Sequence, residues 1–260
     1  MPATNHLLLL PGLMCDDAFW QPLTTATAAQ AAGVVCQVVD YGDADTITAM
    51  AQRALAVAPP KFVLAGHSMG GRVALELVRL APQRVQKLIL MDTGYLPLAA
   101  GEAGAKERAG RLALLDVAKT QGVRAMCAEW VTGMVHPQRV GDVALINPII
   151  DMFARKSAER FALQLSALLT RPDASPVLVE LVRHSFPTLL LCGRHDAWAS
   201  PVQHLAMQRL APSAQLRVIE DAGHMVLMER PQETVQALLQ FLTGPSADST
   251  PAPPDSRFTQ

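Results

Sequence analysis

Six short runs in this chain are apolar on consecutive residues: HLLLL (6–10), GVVCQVV (33–39), KFVLA (61–65), VQKLILM (85–91), PTLLLC (187–192) and AQLRVI (214–219). A strand with one face in water alternates apolar and polar residues, whereas a strand covered on both faces need not. Helical patterns lie between the runs. Ser200-Pro201 and Ser175-Pro176 each set a capping hydroxyl before a proline at the first helical position. Pro231 opens PQETVQALLQFL, with Val235, Leu238, Leu239 and Leu242 on one face and Gly244 past its end. This alternation predicts an α/β fold, a doubly wound and mostly parallel six-stranded sheet. With 260 residues, 50% of them apolar, the chain has material for one large core.

Between VQKLILM and PTLLLC the alternation stops for about 95 residues, although one crossover needs only about a dozen. VRAMCAEWVTGMV (123–135) carries Val123, Met126, Cys127, Trp130 and Met134 at helical spacing, and AERFALQLSALL (158–169) carries Phe161, Leu165 and Leu168. The expected organisation is a core of 1–97 and 171–243 with a helical cap, 98–170, inserted over the strand ends. The stretch GPSADSTPAPPDSRFTQ (244–260) has little to bury and is expected to be a disordered tail.

Charge and cysteine usage exclude several classes. Lys plus Arg number 22 and Asp plus Glu 23, so no bulk charge favours nucleic acid or an anionic membrane. The four cysteines form no CxxC pair, which fits neither a disulfide framework nor a zinc site and suits a reducing compartment. The first residues, MPATNHLLLLPGLMC, lack a basic segment, and no run approaches the roughly 18 apolar residues of a membrane helix. The expectation is a cytoplasmic protein, monomer or homodimer, with no membrane insertion, no metal and no cofactor.

At KFVLAGHSMGGRVALEL (61–77) an apolar run turns into a helix through glycines around Ser68. To lift one side chain clear of a sheet the chain must reverse sharply, which puts Ser68 at strained, positive φ. Side chains two residues to either side would collide, hence Gly66 and Gly70. A hydroxyl is a weak nucleophile and needs a base oriented by a third group. His224 follows the last run, on a loop before the final helix, and is the candidate base. His67 points elsewhere in such a turn and is assigned packing or a local hydrogen bond. His6, His136, His184 and His204 are assigned structural or surface roles, and His195 is a candidate pocket residue.

Asp196 and Asp92 each follow a strand, at the sheet edge where ligands collect in open α/β folds. Asp196 is favoured as the acid because the order Ser68, Asp196, His224 then matches this architecture. Asp92 is the rival and is otherwise assigned to a turn; Asp221 is assigned to a loop. An oxyanion needs two backbone donors. Met69 N–H directly follows the nucleophile, and Leu13 N–H is best placed after Pro11-Gly12. Met14 and Cys15 are expected to flank the pocket, with Trp130, Trp198 and Met225 adding to its wall.

Taken together, LLLLPGLMCD, LAGHSMGGRVALEL, LILMDTG, PTLLLCGRHDAWASP and IEDAGHMVLMERPQE resemble the α/β-hydrolase fold, in its group of small cap-bearing serine hydrolases and esterases. The resemblance implies Ser68 as nucleophile, Asp196 as acid, His224 as base, and Leu13 and Met69 as oxyanion donors. Two departures stand out. Pro11-Gly12 replaces a frequent His-Gly, and the common N-terminal hairpin is absent because the first run begins near residue 6. LLTRPDASP (168–176) resembles a cap-to-core return, with Arg171 and Asp173 expected as a hinge. The implied function is hydrolysis of a carboxylic ester of a small to medium, largely apolar small-molecule substrate through an acyl-enzyme. Thioester, lactone or C–C bond hydrolysis on the same triad are alternatives, as is a ligand-binding receptor that retains the triad. Epoxide and haloalkane chemistry are disfavoured, because those relatives carry aspartate where Ser68 stands.

Overall fold

A computed structural model describes residues 5–30, 33–184 and 186–244. The six apolar runs form β1 (Asn5–Leu10), β2 (Val34–Val38), β3 (Phe62–His67), β4 (Val85–Met91), β5 (Thr188–Gly193) and β6 (Gln215–Ile219). They make one sheet in the order β2-β1-β3-β4-β5-β6, and every pairing is parallel. Burial follows position. Every residue of β3 and β5 is buried, whereas β6, at one edge, exposes alternate residues as far as Arg217.

The helices that cover the sheet fall into two groups. Helix α1 (Asp17–Gln30) packs against α10 (Val226–Glu229) and α11 (Pro231–Thr243), while α2 (Ile47–Val57), α3 (Met69–Leu80), α8 (Ser175–Glu180) and α9 (Pro201–Leu210) pack in succession. Cover on both faces is what leaves β3 and β5 without an exposed residue. On α11 the fully buried positions are Thr234, Leu238 and Phe241, so its inward face is turned from the expected one; Val235, Leu239 and Leu242 flank it half-buried. Ser200 caps α9 as expected, accepting from Gln203 N–H at 3.3 Å. Ser175 does not cap. Its N–H and hydroxyl both donate to Asp173 Oδ1, at 2.8 and 2.6 Å, because an acidic acceptor upstream takes the bonds first.

The interruption between β4 and β5 is helical, comprising α4 (Gly101–Thr120), α5 (Val123–Trp130), α6 (Val143–Ala154) and α7 (Ala158–Leu169) before the chain reaches α8. These helices bury Met126, Met152, Phe153 and Phe161 among themselves and against the core. Polar ties reach the loops at the carboxyl ends of β1 and β2. Asp16 pairs with Arg155 and Lys156, and Arg160 meets the Gly42 carbonyl with Asp40 and Asp43 beside it. Arg171 forks onto Glu107 at 2.8 and 2.9 Å and joins α4 to the return segment. No described helix is long and apolar enough to cross a membrane. The expectation for 245–260 lies outside the described residues.

Candidate active site

The sheet changes direction of winding between β1 and β3, and ligands in open α/β sheets collect at such a switch point. Ser68 sits there, at φ 53° and ψ −117°, between the end of β3 and the start of α3. Such a conformation costs a non-glycine residue about 1–3 kcal/mol and persists only where its surroundings over-determine it. They do. Ser68 N–H donates to Met91 O at 2.9 Å, continuing the β3–β4 ladder, and the Thr93 hydroxyl donates to Ser68 O at 2.6 Å. A Cβ on Gly66 would lie 2.3 Å from Gly70 O, and one on Gly70 only 2.0 Å from Leu10 O. The glycines are required by backbone contact.

His224 Nε2 lies 2.9 Å from Ser68 Oγ, and its Nδ1 lies 2.8 Å from Asp196 Oδ2. With Nδ1–H donating to the carboxylate, Nε2 is left to accept the serine proton. Asp196 Oδ1 accepts from Trp198 N–H and Ala199 N–H at 2.8 and 2.9 Å. Burial alone would raise its pKa, but the charge and hydrogen bond of His224, with those two amides, hold it well below the usual carboxylate range. The carboxylate is therefore kept ionised beside the His224 ring. The base loop is equally constrained. His224 N–H donates to Met134 O at 2.6 Å, and buried Glu229 accepts from His136, Gly223 and Met225 N–H.

Asp92, the rival acid, lies beside Asp196 and 3.9 Å from His67 Nε2, and it is Asp196 that bonds His224. Asp92 Oδ1 accepts from Gly193 N–H at 2.9 Å, and its own φ is 45°. Burial first, then the charge of Asp196, raises its pKa well above the carboxylate range. His67 also keeps to the expected local role: Nε2 donates to His224 O at 2.9 Å, and its ring stacks on Phe19 with centroids 4.0 Å apart. Burial, then the charge of His224, pushes its pKa down to about 3, so it stays neutral. Gly12 is needed because a Cβ there would lie 2.7 Å from His67 Nδ1.

One cavity holds Ser68 and His224 together with Leu13, Met69, Trp198 and Met225 from the sheet's loops and α3, and Trp130, Met134, Phe153 and Leu168 from the helical segment. Trp130 stacks on Trp198 (5.7 Å), which packs against His224 (4.9 Å), so aromatic contact runs from that segment to the base. Two expectations fail. Met14 is not among the lining residues; its φ of 62° turns it into the core, and its N–H is held by Gln164 Oε1 at 2.8 Å. His195 is exposed, edge-on to His136, and does not line the cavity either.

Gln164, Glu229 and Thr93 escaped the sequence reading, since each acts through a backbone amide or carbonyl remote in the chain. Arg72, which also lines the cavity, was within reach: it lies four residues after Ser68, on the same face of α3.

The α/β hydrolase family model matches residues 7–237. A carboxylesterase of Bacillus subtilis (strain 168) is 25% identical over 92% of this chain and 80% of its own length. The mouse sn-1-specific diacylglycerol lipase is 27% identical over 69% of this chain and 58% of its own. The chain spans 45–60% of the length of three of the curated relatives it matches. Among solved structures, a malate-bound thermophilic esterase from Thermogutta terrifontis aligns with a TM-score of 0.78 and 27% identity, covering 92% of this chain and 90% of that one. A match over nearly the whole described chain, on a parallel sheet with this strand order, leaves one conclusion: the chain belongs to the α/β hydrolase family, and proteins named esterase and lipase are among those it is similar to.

Proposed function

We propose that the protein is a serine esterase that cleaves a carboxylic ester through an acyl-enzyme on Ser68, His224 and Asp196. The observation that carries this reading is the imidazole of His224, within 2.9 Å of the hydroxyl and 2.8 Å of the carboxylate. In the first half-reaction His224 Nε2 takes the Ser68 proton as Oγ attacks the ester carbonyl. The C–O bond to the alcohol then breaks, and the same proton passes to the departing alkoxide. In the second half, water gives a proton to His224 as its oxygen attacks the acyl carbon; the C–Oγ bond then breaks, the acid leaves, and His224 returns the proton to Ser68 Oγ. Asp196 holds the ring and offsets the charge of the imidazolium.

Met69 N–H and Leu13 N–H are proposed as the oxyanion donors. Met69 opens α3, and the first N–H groups of a helix have no partner within it. The Leu13 loop is braced on both sides, by Tyr41 OH to Pro11 O at 3.0 Å and by Gln164 to Met14 N–H. Residues 98–170 act as the cap, and their aromatic and methionine side chains exclude water from the acyl group. The cavity, about 110 Å³, is smaller than the roughly 150 Å³ that accepts a benzene ring. A short acyl group fits it best.

Turnover of 4-nitrophenyl esters of graded chain length, by wild type and Ser68→Ala, tests the reading. Release by wild type that peaks at short chains and vanishes in the variant is expected. Equal release by both proteins, or none by either, would overturn it.

A further inference from the structure

Part of the cavity lining is cationic. Arg72 and Arg111 line the cavity together with Ser68, Thr93 and Gly94. Arg72 lies one helical turn, about 6 Å of rise, beyond the nucleophile on α3. Its Nη1 donates to Leu96 O at 2.8 Å, a carbonyl shared with Arg171 Nε at 3.3 Å, so two guanidinium groups meet at one oxygen. A Cβ at Gly94 would lie 2.7 Å from Arg72 Nη2, which places that amino group beside the segment that braces Ser68.

The local charge is not balanced. Glu107 gives both carboxylate oxygens to Arg171, at 2.8 and 2.9 Å, and is reached by Arg111 only through Nε, at 2.9 Å. Among the described residues Arg72 has no carboxylate within ion-pair distance. Arg171 and Arg111 therefore divide the one carboxylate, and Arg72 adds a third positive charge beside them in a partly dry site. Burial first, then the charge of Arg171, pushes Arg72 down to about 9, which still leaves it protonated at neutral pH. Like charges gathered beside a nucleophile are costly without a counter-charge, and guanidinium matches the planar carboxylate fork to fork.

We propose that Arg72 and Arg111 form an anion subsite, so that the ester hydrolysed at Ser68 carries a free carboxylate a few bonds from the scissile bond. This rests on the esterase reading above and narrows its substrate class. The apolar side of the cavity holds the carbon chain, and the arginines hold its charged end.

Two pairs of equal carbon count set a terminal carboxylate against a methyl. On the acyl side, 4-nitrophenyl hemiglutarate is set against 4-nitrophenyl pentanoate; on the alcohol side, 4-acetoxybutyrate is set against butyl acetate. Wild type is expected to prefer the carboxylate in at least one pair, as the ratio of kcat/KM. Arg72→Gln is expected to lower that ratio by about tenfold or more, the scale of a charge-assisted hydrogen bond. Arg111→Gln lowers it as well, and Arg72→Lys recovers part of it. An arginine that only braced Leu96 would lower both members of a pair alike and leave the ratio standing. Ratios unmoved in the glutamine variants, or a wild-type preference for the neutral member of both pairs, would overturn the subsite. Should wild type hydrolyse none of the four, the esterase reading fails, and calorimetry of glutarate with Ser68→Ala decides the subsite by itself. Saturable binding weakened about tenfold by adding Arg72→Gln supports it, and binding absent or indifferent to Arg72 sinks it.

Discussion

The carboxyl edge of the sheet and the helical segment above it meet in one cavity, yet they are built on different principles. At the edge, backbone contacts set each position: Gly70 against Leu10 O, Ser68 N–H on Met91 O, Asp196 on two amides. In the helical segment, side-chain packing does so, with Trp130 against Phe153, Phe161 and Trp198 at centroid distances of 5.6–5.7 Å. Backbone contacts tolerate almost no substitution, whereas packed side chains can be exchanged for others of similar volume. On the proposed function, chemistry belongs to the edge and substrate choice to the cavity walls.

The largest effect that would break this division is at the acid. Asp196→Asn is expected to lower kcat by about 10⁴-fold, because the amide no longer holds the productive tautomer of His224. Asp92→Asn, which sets a neutral amide where a protonated carboxyl stands, is expected to cost far less. Steady-state kinetics on one activated ester ranks the two, and equal losses would place both carboxyl groups in the same role.

A smaller effect belongs to the helical segment. Trp130→Ala removes an apolar wall without touching the triad, so KM is expected to rise by about tenfold with a lesser fall in kcat. A collapse of kcat at unchanged KM would mean that the segment takes part in positioning the base.

The effect that is smallest at neutral pH sharpens the comparison on the edge side. An ordinary histidine titrates near 6.5, and His67 is held at about 3. Between those values the unfolded chain binds a proton that the folded chain refuses. Stability from this group is thus fully present above about pH 6.5 and drains as pH falls, by up to about 1.4 kcal/mol per pH unit. Urea unfolding of wild type and His67→Gln between about pH 7 and pH 4 measures the difference, and the gap should close towards the acid end. Parallel curves would show that His67 is protonated in the fold.

Much of this was readable in advance because it depends on local rules. Consecutive apolar residues announced the buried strands, and glycines on either side of Ser68 announced a reversal in which no other residue fits. His224 could be singled out because loops after strands converge on one edge of a parallel sheet. Met14 was misjudged because its positive φ reverses which way its side chain points, and sequence carries no mark of that. Gln164 and Glu229 left no trace, since each ties down a backbone amide that any residue could have supplied.

Composition and periodicity were sufficient for the parallel sheet, the helical insertion and the sharp turn at Ser68, because each follows from steric and solvation rules that act over a few neighbouring residues. That Asp196 is ionised against His224 while Asp92 is not bonded to it, and that Arg72 lies beside the Arg111–Glu107–Arg171 cluster, came from the folded chain. Both depend on which distant groups share a buried volume, where burial and neighbouring charge set the protonation state.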